Sequence, residues 1–245
     1  MTEDATAPAA PEPAEVEAAA RADRNVRRFW ISTVVLTPVL GVMLFWIAGT
    51  VAWPGAWIFL AIFWIAAIVG GLVIPRDLAA ERGGIPDGIA TYDKVIAPLL
   101  ARILPLATFV VAGLDRRHGW SEDVGAATVA LGLLVTAAGT ALLVWAMASN
   151  RFFSGFMRIQ TDRGHAVVDT GPYARVRHPG YTGLLLYTIG TPLALGSLWA
   201  VIPSAVIVIV VVLRTVLEDR ALHEGLEGYS AYAERVRSKL VPGVW

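Results

Sequence analysis

Long apolar runs separated by short charged segments dominate the chain. Four runs, at about residues 30–49, 56–75, 95–114 and 125–148, contain almost no charged residue. Each is long enough for a hydrocarbon core of about 30 Å, which takes about 20 helical residues to cross. The pattern therefore predicts four membrane-spanning helices.

A fifth apolar region, at about 182–213, is too long for one simple crossing. It is interrupted by small residues and prolines, namely Gly190, Pro192, Gly196, Ser197 and Pro203. We interpret it as a helical hairpin with arms of about 15 residues each, short for full crossings. The predicted fold class is thus an all-α, polytopic membrane protein with five or six spans, of which the last two form a hairpin.

Composition agrees with this pattern, since 56% of the 245 residues are hydrophobic, 16% are charged and the mean hydropathy is +0.60. Soluble domains have roughly 45–50% apolar and about 25% charged residues. The chain contains no cysteine, which excludes disulfides, thiolate metal sites and cysteine nucleophiles. Its 20 basic and 20 acidic residues balance, so no nucleic-acid partner is expected.

Basic residues between the spans predict the orientation, because Lys- and Arg-rich connections stay in the cytoplasm. Seventeen lie on one side and two, Arg116 and Arg117, on the other. Both termini and the 149–181 loop should therefore be cytoplasmic, and we expect the cytoplasmic (inner) membrane of a bacterium as the location. Residues 1–28, rich in Ala, Pro and Glu, are predicted to be a disordered tail before a single domain at 29–245.

Candidate chemistry is concentrated in the predicted cytoplasmic segment at 150–183. Glycines and prolines there surround Tyr173, His178 and Tyr181. Glycine permits close backbone approach to a ligand, and proline stiffens a turn. The alternative for these residues is an ordinary turn followed by the start of a helix. Arginines such as Arg151 and Arg158 have an alternative role as well, in setting the membrane topology or contacting anionic lipids.

Two further groups follow the apolar hairpin. Arg214 and Glu218 are four residues apart, so on a helix they share one face, either as a surface ion pair or as part of a site. Their position directly after an uncharged run favours a site. Tyr229, Tyr232 and Val236 have helical spacing, which indicates either packing on the domain or a cover over a cofactor.

These residues make the chain, over roughly 140–245, similar to the isoprenylcysteine carboxyl methyltransferase family, among membrane methyltransferases that include phospholipid N-methyltransferases. The resemblance rests on several motifs in the same order. They are Gly171-Pro172-Tyr173, the run Arg177-His178-Pro179-Gly180-Tyr181-Thr182-Gly183, Arg214-x-x-x-Glu218-Asp219, and the closing Tyr229, Tyr232 and Pro242.

The resemblance implies a binding site for S-adenosyl-L-methionine within about 150–245, in a cytoplasmic C-terminal segment. The family's substrate-positioning arginine falls on Arg214. Its cofactor contacts fall on Gln160, His165, Ala166, Val167, Val168, Tyr173, His178, Pro179, Gly180, Tyr181 and Glu218. These residue types suit the cofactor: a carboxylate for the ammonium, an imidazole or a backbone N–H for the carboxylate, and tyrosine faces for the sulfonium.

The expected acceptor is a lipophilic molecule that enters laterally from the bilayer. A carboxylate of isoprenylcysteine type would need no base and would be positioned by Arg214, whereas an amine would need one. Alternatives are a phospholipid or amine N-methyltransferase, a sterol-type reductase using NADPH through Arg158, Arg163 and Arg175, and a non-enzymatic binding module. Methyl transfer needs no metal, and we expect membrane lipids but no obligate protein as partners.

Overall fold

Helices are the regular secondary structure of the computed structural model, which describes residues 12–121 and 124–245. In those two ranges there is no strand, which confirms the predicted all-α fold. A π-helical turn, Leu99–Ile103, joins α4 to α5. The helices are α1 (Pro13–Ala48), α2 (Pro54–Val73), α3 (Arg76–Gly83), α4 (Asp93–Pro98), α5 (Leu104–His118), α6 (Ala126–Ser149), α7 (Pro179–Ala194), α8 (Val201–Gly225) and α9 (Tyr229–Arg235).

Five helical segments are long and apolar enough to cross a membrane. They are α1, α2, the continuous segment from α4 to α5, α6 and α8. Large apolar side chains on their outer faces, such as Trp46, Ile68 and Leu72, are more than half exposed in the isolated chain. A surface of this kind is stable against lipid rather than water. The chain is therefore an integral membrane protein.

The last two long helices form the predicted hairpin, but its arms are unequal. α7 has 16 residues, close to the expected length, whereas α8 has 25 and ends at Gly225 instead of near residue 213. The prediction of a short second arm is wrong because neither glycine nor proline interrupts the chain between Pro203 and Gly225. As a result, the charged residues after position 213 lie on the same continuous helix as the apolar run before them.

α7 packs closely on α6 through glycines spaced seven residues apart on each helix, Gly132 and Gly139 on α6 and Gly183 and Gly190 on α7. A methyl group on Gly139 would lie 2.4 Å from the backbone nitrogen of Tyr187. One on Gly183 would lie 2.7 Å from the carbonyl oxygen of Gly139. Small residues allow such backbone contact between membrane helices. This packing fixes the first turn of α7 beside the end of α6.

The N-terminal segment is helical where we expected disorder. α1 begins at Pro13, so the prediction of a disordered tail is wrong for residues 13–28. The segment is rich in Ala and Glu, which are strong helix formers, and the Glu15 carboxylate accepts the Glu12 N–H at 3.2 Å. The remainder of the predicted tail, residues 1–11, lies outside the described ranges.

The helical N-terminal extension supports α3, which packs along it. A methyl group on Gly83 would lie 1.9 Å from the backbone oxygen of Asn25, so the two backbones are in contact. Arg76 also donates to the Asp23 carboxylate at 2.8 Å. α3 is thereby held in place, and its acidic residues contact the loop that follows α6.

Candidate active site

A cavity of about 290 Å³ lies where α6 ends and α7 begins. It is enclosed by the loop after α6, the first turns of α7, the later turns of α8, and α9. Eleven of the twelve predicted site residues line it: Gln160, His165, Ala166, Val167, Val168, Tyr173, His178, Gly180, Tyr181, Arg214 and Glu218. Pro179, the twelfth, is buried as the first residue of α7 instead. The structure thus brings the predicted residues together, while their roles stay predictions.

The first turn of α7 is fixed by the C-terminal segment of the chain. Pro179 occupies the first helical position, where a missing N–H is tolerated. Just before it, the Arg177 N–H donates to the Ser238 carbonyl and the His178 N–H to the Lys239 carbonyl, both at 2.9 Å. The C-terminal segment therefore holds the residues that enter the cavity wall from α7.

Asp219 is the centre of a buried polar network that borders the cavity. Its carboxylate accepts Nε–H and Nη2–H of Arg177 at 2.8 and 3.1 Å and the Tyr229 hydroxyl at 2.9 Å. His178 Nε2 lies 3.2 Å from the same carboxylate. Burial and the Asp219 charge raise the pKa of Tyr229, so its hydroxyl stays a donor. The network fixes the orientation of the His178 ring.

Glu218 presents the carboxylate that is available in the cavity wall. The Tyr181 hydroxyl donates to its Oε2 at 2.5 Å, and His178 Nδ1 lies 3.9 Å from its Oε1. The Glu218 side chain is 23% exposed, compared with 7% for Asp219, which is already occupied by Arg177. A cationic group in the cavity would therefore meet Glu218 and not Asp219.

Arg214 does not pair with Glu218, although they share a face of α8. Its Nη2–H groups bind the Asp93 carboxylate at 2.7 Å and the Gly155 carbonyl at 2.9 Å. Its guanidinium lies 5.6 Å from the centre of the Tyr181 ring. Arg214 Nε is buried without a hydrogen-bond partner among the described residues. The alternative of a surface ion pair at 214 and 218 is therefore wrong.

Asp93, the partner of Arg214, was not among the predicted site residues. It is the first residue of α4, is fully buried, and also accepts the Met157 N–H at 2.6 Å. The signal for it was a carboxylate at the start of an apolar span, where an ionisable residue is a functional candidate. The predicted span at 95–114 left this residue in the preceding loop.

The loop after α6 is held by two carboxylates of α3, which were also not among the predicted site residues. Glu81 accepts Nε–H and Nη2–H of Arg158 at 2.9 and 3.0 Å, and Asp77 binds Arg151 and Arg163 at 2.8 and 2.9 Å. Burial opposes ionisation of Asp77, but hydrogen bonding to Arg163 and the charge of Arg151 lower its pKa. These arginines are already paired, so they do not form a free basic pocket for a phosphate.

Gln160 and His165 form a neutral wall of the cavity. The Gln160 side chain is almost fully buried, donates to the Phe152 carbonyl at 2.7 Å, and accepts a hydrogen bond from Arg163. The Gln160 N–H lies 3.3 Å from His165 Nδ1. Burial and the charges of Arg158 and Arg163 lower the pKa of His165 to about 4, so this imidazole is neutral at pH 7.

α9 closes one side of the cavity with two tyrosines. The Tyr232 hydroxyl donates to the Tyr173 carbonyl at 2.7 Å, and the Tyr229 and Tyr232 rings lie 5.6 Å apart, edge to face. Both tyrosines also line the cavity. α9 therefore packs on the domain and also forms a cavity wall, while its role as a cover over a cofactor stays a prediction.

Comparison with known proteins confirms the predicted family resemblance. Residues 127–227 match the phospholipid methyltransferase family. Protein-S-isoprenylcysteine O-methyltransferase A of Arabidopsis thaliana is 26% identical over 120 residues, covering 49% of this chain and 58% of the relative. Protein-S-isoprenylcysteine O-methyltransferase B of the same plant is 29% identical over 113 residues, covering 46% and 54%. The chain spans about half the length of these curated relatives.

Proposed function

We propose that the protein is a methyltransferase that uses S-adenosyl-L-methionine and methylates a lipophilic acceptor, a carboxylate of isoprenylcysteine type. The observation that carries this proposal is the juxtaposition of Glu218 and Arg214 on one face of α8, each lining the same cavity. Glu218 offers an accessible carboxylate, and Arg214 offers a buried guanidinium. The names of the curated relatives support the same reaction.

The cavity residues fit the cofactor group by group. Glu218 would hold the ammonium, since among the described residues only the Tyr181 hydroxyl donates to it and the neighbouring His178 Nδ1 is 3.9 Å away. The N–H of Gly180, for which no acceptor is found among the described residues, would receive the carboxylate at the start of α7. Tyr181 offers a ring face to the sulfonium, and the neutral ring of His165 suits adenine.

Bound S-adenosyl-L-methionine supplies an electrophilic methyl group, and the residues orient an acceptor towards it. A carboxylate acceptor is already ionised near neutral pH and needs no general base. The buried Nε–H of Arg214 has no acceptor in the part of the chain that the structure describes, and a substrate carboxylate would provide one. Apolar side chains of the cavity, such as Leu100 and Leu184, would contact the lipophilic part as it enters from the bilayer. The 17-to-2 distribution of basic residues supports a site on the cytoplasmic side of a bacterial inner membrane.

The first test is calorimetric binding of S-adenosylhomocysteine to the detergent-purified protein and to Glu218→Gln. The product retains the ammonium that Glu218 would hold, so we expect binding at least about 30-fold weaker in the variant, or about 2 kcal/mol. Glu224→Gln is the matched control, because Glu224 lies on the same helix and its side chain is 65% exposed.

We expect the control to bind the product as the unaltered protein does, and NADPH not to bind. Equal affinity in the unaltered protein and in Glu218→Gln would refute the assignment of Glu218. Binding of NADPH alone would support the reductase alternative, and binding of neither ligand by folded protein would refute the proposed function.

A further inference from the structure

Arg82, near the end of α3, brings an additional guanidinium to the cavity wall. Its guanidinium lies 5.5 Å from the centre of the Phe153 ring. Phe153 in turn contacts the first turn of α7, since a methyl group on Gly180 would lie 2.2 Å from that ring. Arg82 is thereby placed next to the residues proposed to bind the cofactor, although it lies outside the matched range 127–227.

The charge balance of the cavity singles out Arg82. Three other arginines line the cavity, and each has a carboxylate within 3 Å: Arg158 with Glu81, Arg177 with Asp219, and Arg214 with Asp93. For Arg82, no carboxylate lies within 4 Å in the described part of the chain. Its hydrogen bond to the Phe153 carbonyl is long, at 3.4 Å, and its Nε is buried with no hydrogen-bond partner in the described ranges. A partly buried guanidinium with an unsatisfied N–H and no carboxylate partner is costly unless an anion binds it.

Arg82 and Arg214 line the same cavity and bind the loop after α6 two residues apart, at the carbonyls of Phe153 and Gly155. Burial and the charge of Arg214 lower the pKa of Arg82 to about 10, so Arg82 stays cationic at neutral pH. Two cations near each other favour an anion that contacts both. Nearby, Ala97, Leu100 and Ala101 give the same cavity an apolar wall. An amphiphile with an anionic head would satisfy both kinds of surface.

We propose that Arg82 and Arg214 form an anion-binding subsite that holds the carboxylate of the lipophilic acceptor. This inference rests on the proposed function, in which Glu218 is occupied by the cofactor ammonium. S-adenosyl-L-methionine carries two positive groups and one negative group. Glu218 would pair with the ammonium, and the cofactor's own carboxylate offsets its sulfonium. No negative group of the cofactor or of the described cavity residues then remains to pair with Arg82. An anionic acceptor neutralises that charge, whereas a cationic amine adds to it.

The test compares two probes that differ by one charge, N-acetyl-S-farnesyl-L-cysteine and its methyl ester, in a neutral detergent. The protein is saturated with sinefungin, an analogue with an ammonium in place of the sulfonium, so the cofactor's two positive groups and one negative group are all present. In the unaltered protein we expect the acid to bind at least tenfold more tightly than the ester. In Arg82→Gln the acid should lose at least tenfold in affinity and the ester less than threefold. Arg82→Lys should recover part of the preference for the acid, because it restores the positive charge.

Arg76→Gln is the matched control, since Arg76 lies on the same helix with its side chain 74% exposed, and α3 keeps its backbone contact with α1 at Gly83 when this exposed ion pair with Asp23 is lost. It should keep the preference for the acid. Equal weakening of acid and ester in Arg82→Gln, or no change in either, would overturn the proposal.

A lipid headgroup could also supply the anion, so phosphatidylglycerol in mixed micelles forms a further arm. Loss of its binding in Arg82→Gln, with acid binding unchanged, would overturn the proposal in favour of a lipid contact. Binding of S-adenosylhomocysteine distinguishes failure of the proposed function from failure of the Arg82 subsite. If the unaltered protein does not bind S-adenosylhomocysteine, the proposed function is refuted. If Arg82→Gln binds S-adenosylhomocysteine normally and keeps the preference for the acid over the ester, only the role of Arg82 is refuted.

Discussion

At the scale of single residues, the pair formed by Asp93 and Arg214 joins the start of α4 to the middle of α8 across 121 positions of sequence. Both side chains are buried, and each also binds the loop after α6, through Met157 and Gly155. Removing one partner of a buried ion pair leaves an uncompensated charge, and this is far more destabilising than removing both. The pair therefore sets both the packing of α4 and the position of the arginine proposed to bind the acceptor.

A double-mutant cycle tests this coupling. We expect Asp93→Asn and Arg214→Met each to lower the free energy of unfolding by about 3–5 kcal/mol, and the double variant to lose less than the sum of the two. Thermal unfolding in detergent measures the effect. Arg220→Gln, which removes an exposed ion pair on the same helix, should change little. Additive losses in the double variant would contradict the coupling.

The residue scale also shows which site residues a sequence can indicate. Glu218 and Arg214 were predicted because they follow an uncharged run and match a motif. Asp77, Glu81 and Asp93 were missed, because they belong to short helices before the motifs and their partners lie 64 or more positions away. In the sequence, these carboxylates look no different from the other Asp and Glu residues as candidate site residues. Only their positions in the folded structure distinguish them.

At the scale of elements, the contact between α6 and α7 decides where the cavity lies. Glycines at matched spacing let the two backbones approach until no methyl group fits between them. α7 is short for a crossing, yet its first turn carries several cavity residues, so its position depends on this packing rather than on its length.

A single methyl group on Gly139 should therefore disturb both fold and site. We expect Gly139→Ala to lower the free energy of unfolding by about 1–3 kcal/mol and to weaken S-adenosylhomocysteine binding, because α7 must move away from α6. Gly71→Ala on α2 is the matched control, since a methyl group there meets no atom within 4 Å. It should leave binding unchanged and stabilise the helix by about 0.5–1 kcal/mol. Equal behaviour of the two variants in thermal unfolding would refute the importance of this contact.

At the scale of the whole molecule, the cavity depends on parts of the chain outside the matched range 127–227. α3 supplies Arg82 and the carboxylates that hold the loop after α6, and α4 supplies Asp93. α1 in turn supports α3 through its helical extension. The predicted single domain at 29–245, like the cytoplasmic side of both termini, stays a prediction.

The orientation can be tested directly because the sequence contains no cysteine, so a single introduced thiol is the only one to react. We expect His118→Cys, on the side with few basic residues, to react with a membrane-impermeant maleimide in intact cells. Ala231→Cys, exposed on α9, should react only after the cells are permeabilised. The opposite pattern would reverse the predicted topology.

The sequence by itself determined the number and approximate position of the long apolar helices, the hairpin, and eleven of the residues that line the cavity. The length of an apolar run is a local property of the sequence, and it alone decides whether a helix can cross a bilayer. The order of motifs can likewise be read from the sequence without knowing which residues are in contact. The tertiary structure alone decided that Arg214 pairs with Asp93 instead of Glu218, that α3 holds the loop, and that Arg82 lacks a carboxylate partner in the described ranges. Ion pairs and buried hydrogen bonds form between groups brought within about 3 Å by packing, and sequence distance carries no information about that approach.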